Sequence, residues 1–166
     1  MIQLRPVSLS DVEAVVAGVT VSREELGQWM DWCQATYSRT DATEWVIRAT
    51  ADRTAGAAAH FVIADDQHPF LGVVGIEGIA ADCDVAAIGY WVATPYAGRG
   101  IAPRAIRAAA AWTFAHTHVT ELLAFIAPAN TRSRRAAEKV GFILREPHPR
   151  RVAPLEQLTY GLVRAG

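Results

Sequence analysis

Two glycines stand just ahead of an alanine-rich segment in "TPYAGRGIAPRAIRAAAAW", residues 94–112. Gly98 and Gly100 lie where an apolar stretch gives way to a helix-forming one. The first N–H groups of a helix lack internal partners, and a glycine turn lets an anion reach them without a Cβ in the way. Arg99 and Arg104 add positive charge, and Pro103 fits a first helical turn while removing one donor. Two familiar phosphate loops do not fit. A dinucleotide fingerprint needs glycine at 103, and a GK[ST] ending is absent. A second candidate is Glu77 in "GVVGIEGI", a lone carboxylate within an apolar strand pattern. Burial there would raise its pKa and suit it to accept a proton. Asp84, in a loop, is a weaker candidate of the same kind.

Metal chemistry has little to work with. Cys33 and Cys83 are far apart and belong to no CxxC or Cys/His cluster, so both read as packing residues. His116 and His118 point in different directions on a helix. Charge is distributed unevenly. Residues 1–97 carry 13 Asp and Glu against 5 Arg, and residues 98–166 carry 10 Arg and 1 Lys against 4 Glu. That split suits a polyanion near the second half and a cation near the first, although folding can mix the two.

The elements that must position these residues follow from periodicity. "IQLRPV" alternates as a strand, and "SLSDVEAVVAGV" is a helix with Ser10 as cap and Glu13 at capping-box spacing. A further helix is expected near Arg23–Met30, and another in "TDATEWVIRATADRT". "AAAHFVIADD" and "PFLGVVGIEGI" form a hairpin across "DDQHP", and "VAAIGYWVAT" is the next strand. Then come a helix over Ile101–His116, the strand "TELLAFIAP", and a short helix in "NTRSRRAAEKV" stopped at Gly141. Two strands, "GFILRE" and "EQLTYGLVR", flank the loop "PHPRRVAPL". Strands and helices alternate only in the second half. The expected fold is therefore α/β (α+β) with a mixed, mostly antiparallel sheet, within one domain over 1–166. No apolar run approaches a bilayer span and no signal segment is evident, so a cytoplasmic chain with no membrane partner is expected. The formal net charge of −1 argues against nucleic acid as a partner.

The ordered set of motifs resembles the GNAT superfamily of acyl-CoA N-acyltransferases, most closely its RimJ/RimL-like branch. The residues that carry the likeness are Gly100 and Ala102 in the pyrophosphate loop, "IGYWV" before it, and Asn130, Ser133, Lys139, Gly141 and Phe142 after it. The early "LGQWMDW" also matches, and the likeness covers nearly the whole chain. One departure stands in the loop itself, where Ala97 replaces the usual Gln or Arg.

The resemblance implies a sheet of about seven strands flanked by helices, with its central strands 86–93 and 119–126 splayed apart. It implies acetyl-CoA as cosubstrate, with its pyrophosphate on backbone N–H groups of Gly98, Arg99, Gly100, Ile101 and Ala102. The pantetheine arm would pair with backbone at Trp91 and Val92, and Asn130 would bond to that arm or shape the site. A backbone N–H near Val92 would serve the oxyanion. Ser133 would protonate the leaving sulfur, since Ala137 stands where many members carry a tyrosine. The base is open between Glu77 and water, because Ala87 replaces the glutamate that often precedes IGYW. Trp29 and Trp32 would line the acceptor side. The acceptor is a primary amine, either a protein N-terminal α-amine or a small molecule such as an amino acid, polyamine or antibiotic. A CoA-binding sensor without catalysis is the competing reading. Members of the family often form homodimers.

Overall fold

The computed structural model describes residues 1–80, 82–145 and 157–165. Seven strands form one sheet: β1 (Gln3–Pro6), β2 (Ala58–Ala64), β3 (Gly72–Glu77), β4 (Val85–Val92), β5 (Glu121–Ile126), β6 (Ile143–Arg145) and β7 (Leu158–Val163). Their spatial order is β1-β2-β3-β4-β5-β7-β6. Every neighbouring pair is antiparallel except β4 and β5. Four helices cover the faces: α1 (Val12–Leu26), α2 (Arg39–Thr54), α3 (Ile101–His116) and α4 (Thr131–Glu138). The mixed, mostly antiparallel sheet is the one expected from the sequence.

Alternation along the strands sorts the core into two layers. Phe61, Ile63, Val74, Ile76, Ala86 and Ile88 pack with Ala105, Ile106, Ala109 and Ala110 of α3. The small side chains of that helix allow close approach to the sheet. Val62 and Val73 face the other way and pack with Val15 and Val19 of α1 and Val46 and Ala49 of α2.

Two expectations about the first helix need correction. Ser10 and Glu13 do not form the cap. Ser8 N–H donates to the Asp11 carboxylate at 2.9 Å across a 3-10 turn, Leu9–Asp11, that leads into α1. Buried Asp11 also takes two bonds from Arg5, at 2.6 and 2.9 Å, and this long-range partner selects Asp11 over Glu13. No separate helix runs over Arg23–Met30. The first helix continues to Leu26, and residues 27–38 follow as turns. Arg23 clamps that segment by donating to the carbonyl oxygens of Gln34 and Ala35 at 2.6 and 2.7 Å. The loop "PHPRRVAPL" lies outside the described residues.

Candidate active site

The site begins with a break in the sheet. β4 pairs with β5 only at Val85↔Glu121, Ala86↔Leu122 and Ala87↔Leu123. Past Ala87 the two strands part, while β4 stays fully paired with β3 as far as Val92. Ala93 N–H donates to the Leu71 carbonyl, on the β3 side. Backbone direction alternates along a strand, so Trp91 also turns its N–H and C=O to β3. Tyr90 and Val92 turn theirs into the gap. Of the two residues expected to offer backbone to a pantetheine arm, Val92 turns its groups into the gap and Trp91 does not; Tyr90 does.

A groove of about 320 Å³ opens on the α3/α4 side of this gap. Gly98, Gly100, Ile101 and Ala102 line one end, and Asn130 and Ser133 line another. Gly98 and Gly100 have φ of +78° and +69°, in the left-handed region where side chains are disfavoured. Gly100 caps α3, and beyond the adjoining residues of the chain no protein atom lies within 4 Å of where a Cβ on either glycine would sit. The unpaired N–H groups of Ile101 and Ala102 and the positive end of a 16-residue helix therefore meet open space. Asn130 caps the second helix facing the groove, its Oδ1 accepting from Ser133 N–H at 3.1 Å.

The groove's cationic side chains are Arg132, Arg135 and Lys139. Arg132 is paired with Glu25 of α1 at 2.6 Å, which links the two walls. Arg99 does not line the groove with its side chain. Its guanidinium donates to the Pro95 carbonyl at 3.1 Å and lies over the Tyr96 ring. Its backbone adjoins the groove between Gly98 and Gly100, which both line it. Arg104 likewise bonds back, to the carbonyls of Gly100 and Arg99, and braces the loop.

Ser133 has a partner that sequence reasoning missed. The Tyr90 hydroxyl lies 2.9 Å from Ser133 Oγ and 3.0 Å from the Ser133 carbonyl oxygen, to which it can donate. Burial pushes the Tyr90 phenol up to about 12, so it stays protonated at neutral pH. Its position in "IGYWV" was visible. The contact, across 43 residues of chain, was not.

On the opposite face, against α1 and α2, lies a larger cavity of about 900 Å³. Asp41, Glu44, Asp52 and Glu77 line it with one arginine, Arg48, among aromatic walls that include Trp32, Trp45 and Trp91. The uneven charge of the sequence thus separates in space, with acids of the first half here and bases of the second half at the groove. Met30, Tyr90 and Trp91 line both spaces, which meet at the gap. Trp32 is 44% exposed and lines the acid-lined cavity, whereas Trp29 lines the groove instead. Glu77 is the last residue of β3 and is exposed, not the buried carboxylate that the apolar pattern suggested. It still faces the cavity. Among the described residues, no three His, Cys, Asp or Glu side chains cluster as a metal site. No helix among them is long and apolar enough to cross a membrane.

The comparisons with known proteins agree with this geometry. A family model described as an acetyltransferase (GNAT) domain matches residues 2–143. A curated Bacillus subtilis relative, "Putative ribosomal N-acetyltransferase YdaF", is 24% identical over 147 residues, covering 86% of this chain and 78% of its own. Mycobacterium smegmatis RimJ, solved with a CoA disulfide, superposes with a TM-score of 0.84 at 26% identity, covering 98% of this chain and 81% of its own. RimL, a ribosomal L7/L12 α-N-protein acetyltransferase solved with coenzyme A, shares the fold with a TM-score of 0.86 at 20% identity. That likeness covers 98% of this chain and 93% of RimL. By its family match and its relatives, the chain belongs to the GNAT acetyltransferases, in their RimJ/RimL-like branch.

Proposed function

We propose that the protein transfers an acetyl group from acetyl-CoA to the α-amine of a protein N-terminus. The observation that carries this reading is the gap beyond Ala87 and Leu123, which joins the cationic groove to the acid-lined cavity. The CoA pyrophosphate accepts bonds from N–H groups of the Gly98–Ala102 loop, with the α3 N-terminus behind them. The pantetheine arm enters the gap and pairs with the backbone of Tyr90 and Val92. Tyr90 N–H, the deeper of the two in the gap, then faces the thioester oxygen as it gains charge, the role of an oxyanion donor. Ser133, held by Tyr90, gives a proton to the departing sulfur. The carboxylates of the cavity attract the cationic acceptor, and Trp32 stands at its wall.

The names of the relatives, two of which refer to ribosomal proteins, support a protein terminus as acceptor. One observation favours a second reading. A cavity of about 900 Å³ lies within the range that encloses small ligands, roughly 300–1,000 Å³, so a free small amine is the alternative acceptor. Thiol release across a panel of N-terminal serine and alanine peptides, amino acids and polyamines decides between them. Turnover of peptides alone supports the proposal, and turnover of small amines alone replaces it. Acetyl-CoA binding without turnover of any amine points to a sensor. No acetyl-CoA binding at millimolar concentration, measured by calorimetry, overturns the functional reading altogether.

A further inference from the structure

The floor of the acid-lined cavity has an unusual row. His60 on β2, Gly75 on β3 and Gly89 on β4 are consecutive cross-strand partners. All three face α1 and α2. The His60 ring lies over Gly75, so that a Cβ there would collide with its Nδ1 and Cε1. A Cβ at Gly89 would meet nothing within 4 Å. The two bare positions form a trench from the imidazole to the gap. One strand spacing, about 4.8 Å, separates the ring's resting place from β4.

We propose that His60 is the general base, taking the proton from the acceptor amine; this rests on the acetyltransferase reading above. An amine seated over Gly89 lies beside both the imidazole and the gap where the thioester carbonyl emerges. Trp45 packs edge-on against the ring, with centroids 5.7 Å apart, and fixes its orientation. Neither ring nitrogen has a hydrogen-bond partner among the described residues, and no partnerless polar side-chain atom there is sealed from its surroundings. Both nitrogens thus keep some exposed surface, and His60 lines the cavity.

The charged groups lining the cavity are Asp41, Glu44, Arg48 and Asp52 from α2 and Glu77 from β3; α1 contributes Val15 and Val19. Burial holds the imidazole below the ordinary histidine range. Glu77 and Asp52 pull it back up, and Arg48 pushes it down. The ring is thus neutral, and a proton acceptor, at neutral pH.

The step balances without another reagent. The acceptor ammonium gives one proton to His60, which passes it to solvent. The freed lone pair forms the C–N bond at the carbonyl carbon, and the C–S bond breaks as the carbonyl reforms. The second nitrogen proton replaces the one that Ser133 delivers to sulfur. The products are the N-acetyl amine, CoA thiol and one released proton.

His60→Gln keeps a polar side chain of similar reach but takes no proton near neutral pH. With whichever panel amine the wild type acetylates, kcat should fall at least ~100-fold. The acid limb of the kcat/KM profile should vanish, while acetyl-CoA affinity by calorimetry stays within about twofold. A residue that only shaped the cavity would raise KM and leave the acid limb in place. His60→Gln with the wild-type limb and rate overturns the proposal. NMR titration of the wild-type imidazole needs no variant. A midpoint below ~6.5 supports the base role, and a ring still protonated at pH 7.5 overturns it. An enzyme that binds acetyl-CoA yet acetylates no amine refutes the acetyltransferase reading instead, and with it the base role.

Discussion

Gly100 offers a test in which backbone cost and ligand contact separate. Its φ of +69° and open surroundings mean that Gly100→Ala meets no protein atom. The folded chain bears only the left-handed penalty of a side chain, about 1–2 kcal/mol. For a chain of this size that corresponds to a fall in Tm of roughly 2–8 °C. Gly56 supplies the control. It has the same φ of +69°, the same open surroundings and a position in the turn between α2 and β2, away from the groove. Gly56→Ala should therefore lower Tm by a similar amount. The two variants should part when acetyl-CoA is added. At Gly100 the new methyl group occupies space that the pyrophosphate needs in order to reach the N–H groups of Ile101 and Ala102. Losing one hydrogen bond to a charged group costs about 1.5–3 kcal/mol, or roughly 10- to 150-fold in Kd. Thermal unfolding of the free proteins and calorimetry with acetyl-CoA measure both quantities. If Gly100→Ala binds acetyl-CoA as the wild type does, the groove is not the pyrophosphate site and the loop assignment fails.

Ser133→Ala should lower thiol release about 10- to 100-fold with little change in acetyl-CoA affinity. Tyr90→Phe should act through the same hydroxyl pair, so the double variant should lose less than the product of the two effects in steady-state kinetics. Glu77→Gln should leave an acid limb in the pH–rate profile but move it to lower pH, because Glu77 raises the His60 pKa; complete loss of the limb would make Glu77 the base. Burial pushes the Asp11 carboxyl up, but its bonds to Arg5 and Ser8 outweigh this and hold it below the ordinary value. Its contribution to stability is thus present above the unfolded pKa of ~3.9 and lost as pH falls through the lower folded value. Asp11→Ala should cost about 1–3 kcal/mol at pH 7, and the difference from wild type should shrink in urea titrations toward pH 2.

What the sequence revealed was local or periodic. The glycine loop, the α3 boundaries and the succession of strands along the chain all follow from signals within single elements. The cap of the first helix shows the limit. Ser8-x-x-Asp11 and Ser10-x-x-Glu13 are equivalent as local patterns. Arg5, reaching over from β1, decides between them. Glu77 misled for a related reason: an apolar run does not say where its strand leaves the core, and β3 ends at that residue. Arg99 looked like a phosphate ligand because it sits between two glycines, and nothing local in the sequence told that its guanidinium lies against Pro95 and Tyr96. His60 carried no motif at all. Its interest depends on two glycines, 15 and 29 residues away, that become its neighbours only when β2, β3 and β4 pair.

The short pairing of β4 with β5 bears on how the molecule is held together before any acyl donor arrives. Three residue pairs join a four-stranded and a three-stranded half into one sheet. Amides at Tyr90 and Val92 would then exchange with solvent in the free protein and become protected when a ligand's amides take up the missing rungs. On the proposed binding mode, acetyl-CoA would be a structural member as well as a reactant. At a concentration of 100 times its Kd it would add about 2.7 kcal/mol to the folded state. The durability of the protein in a cell would therefore follow the supply of acyl donor.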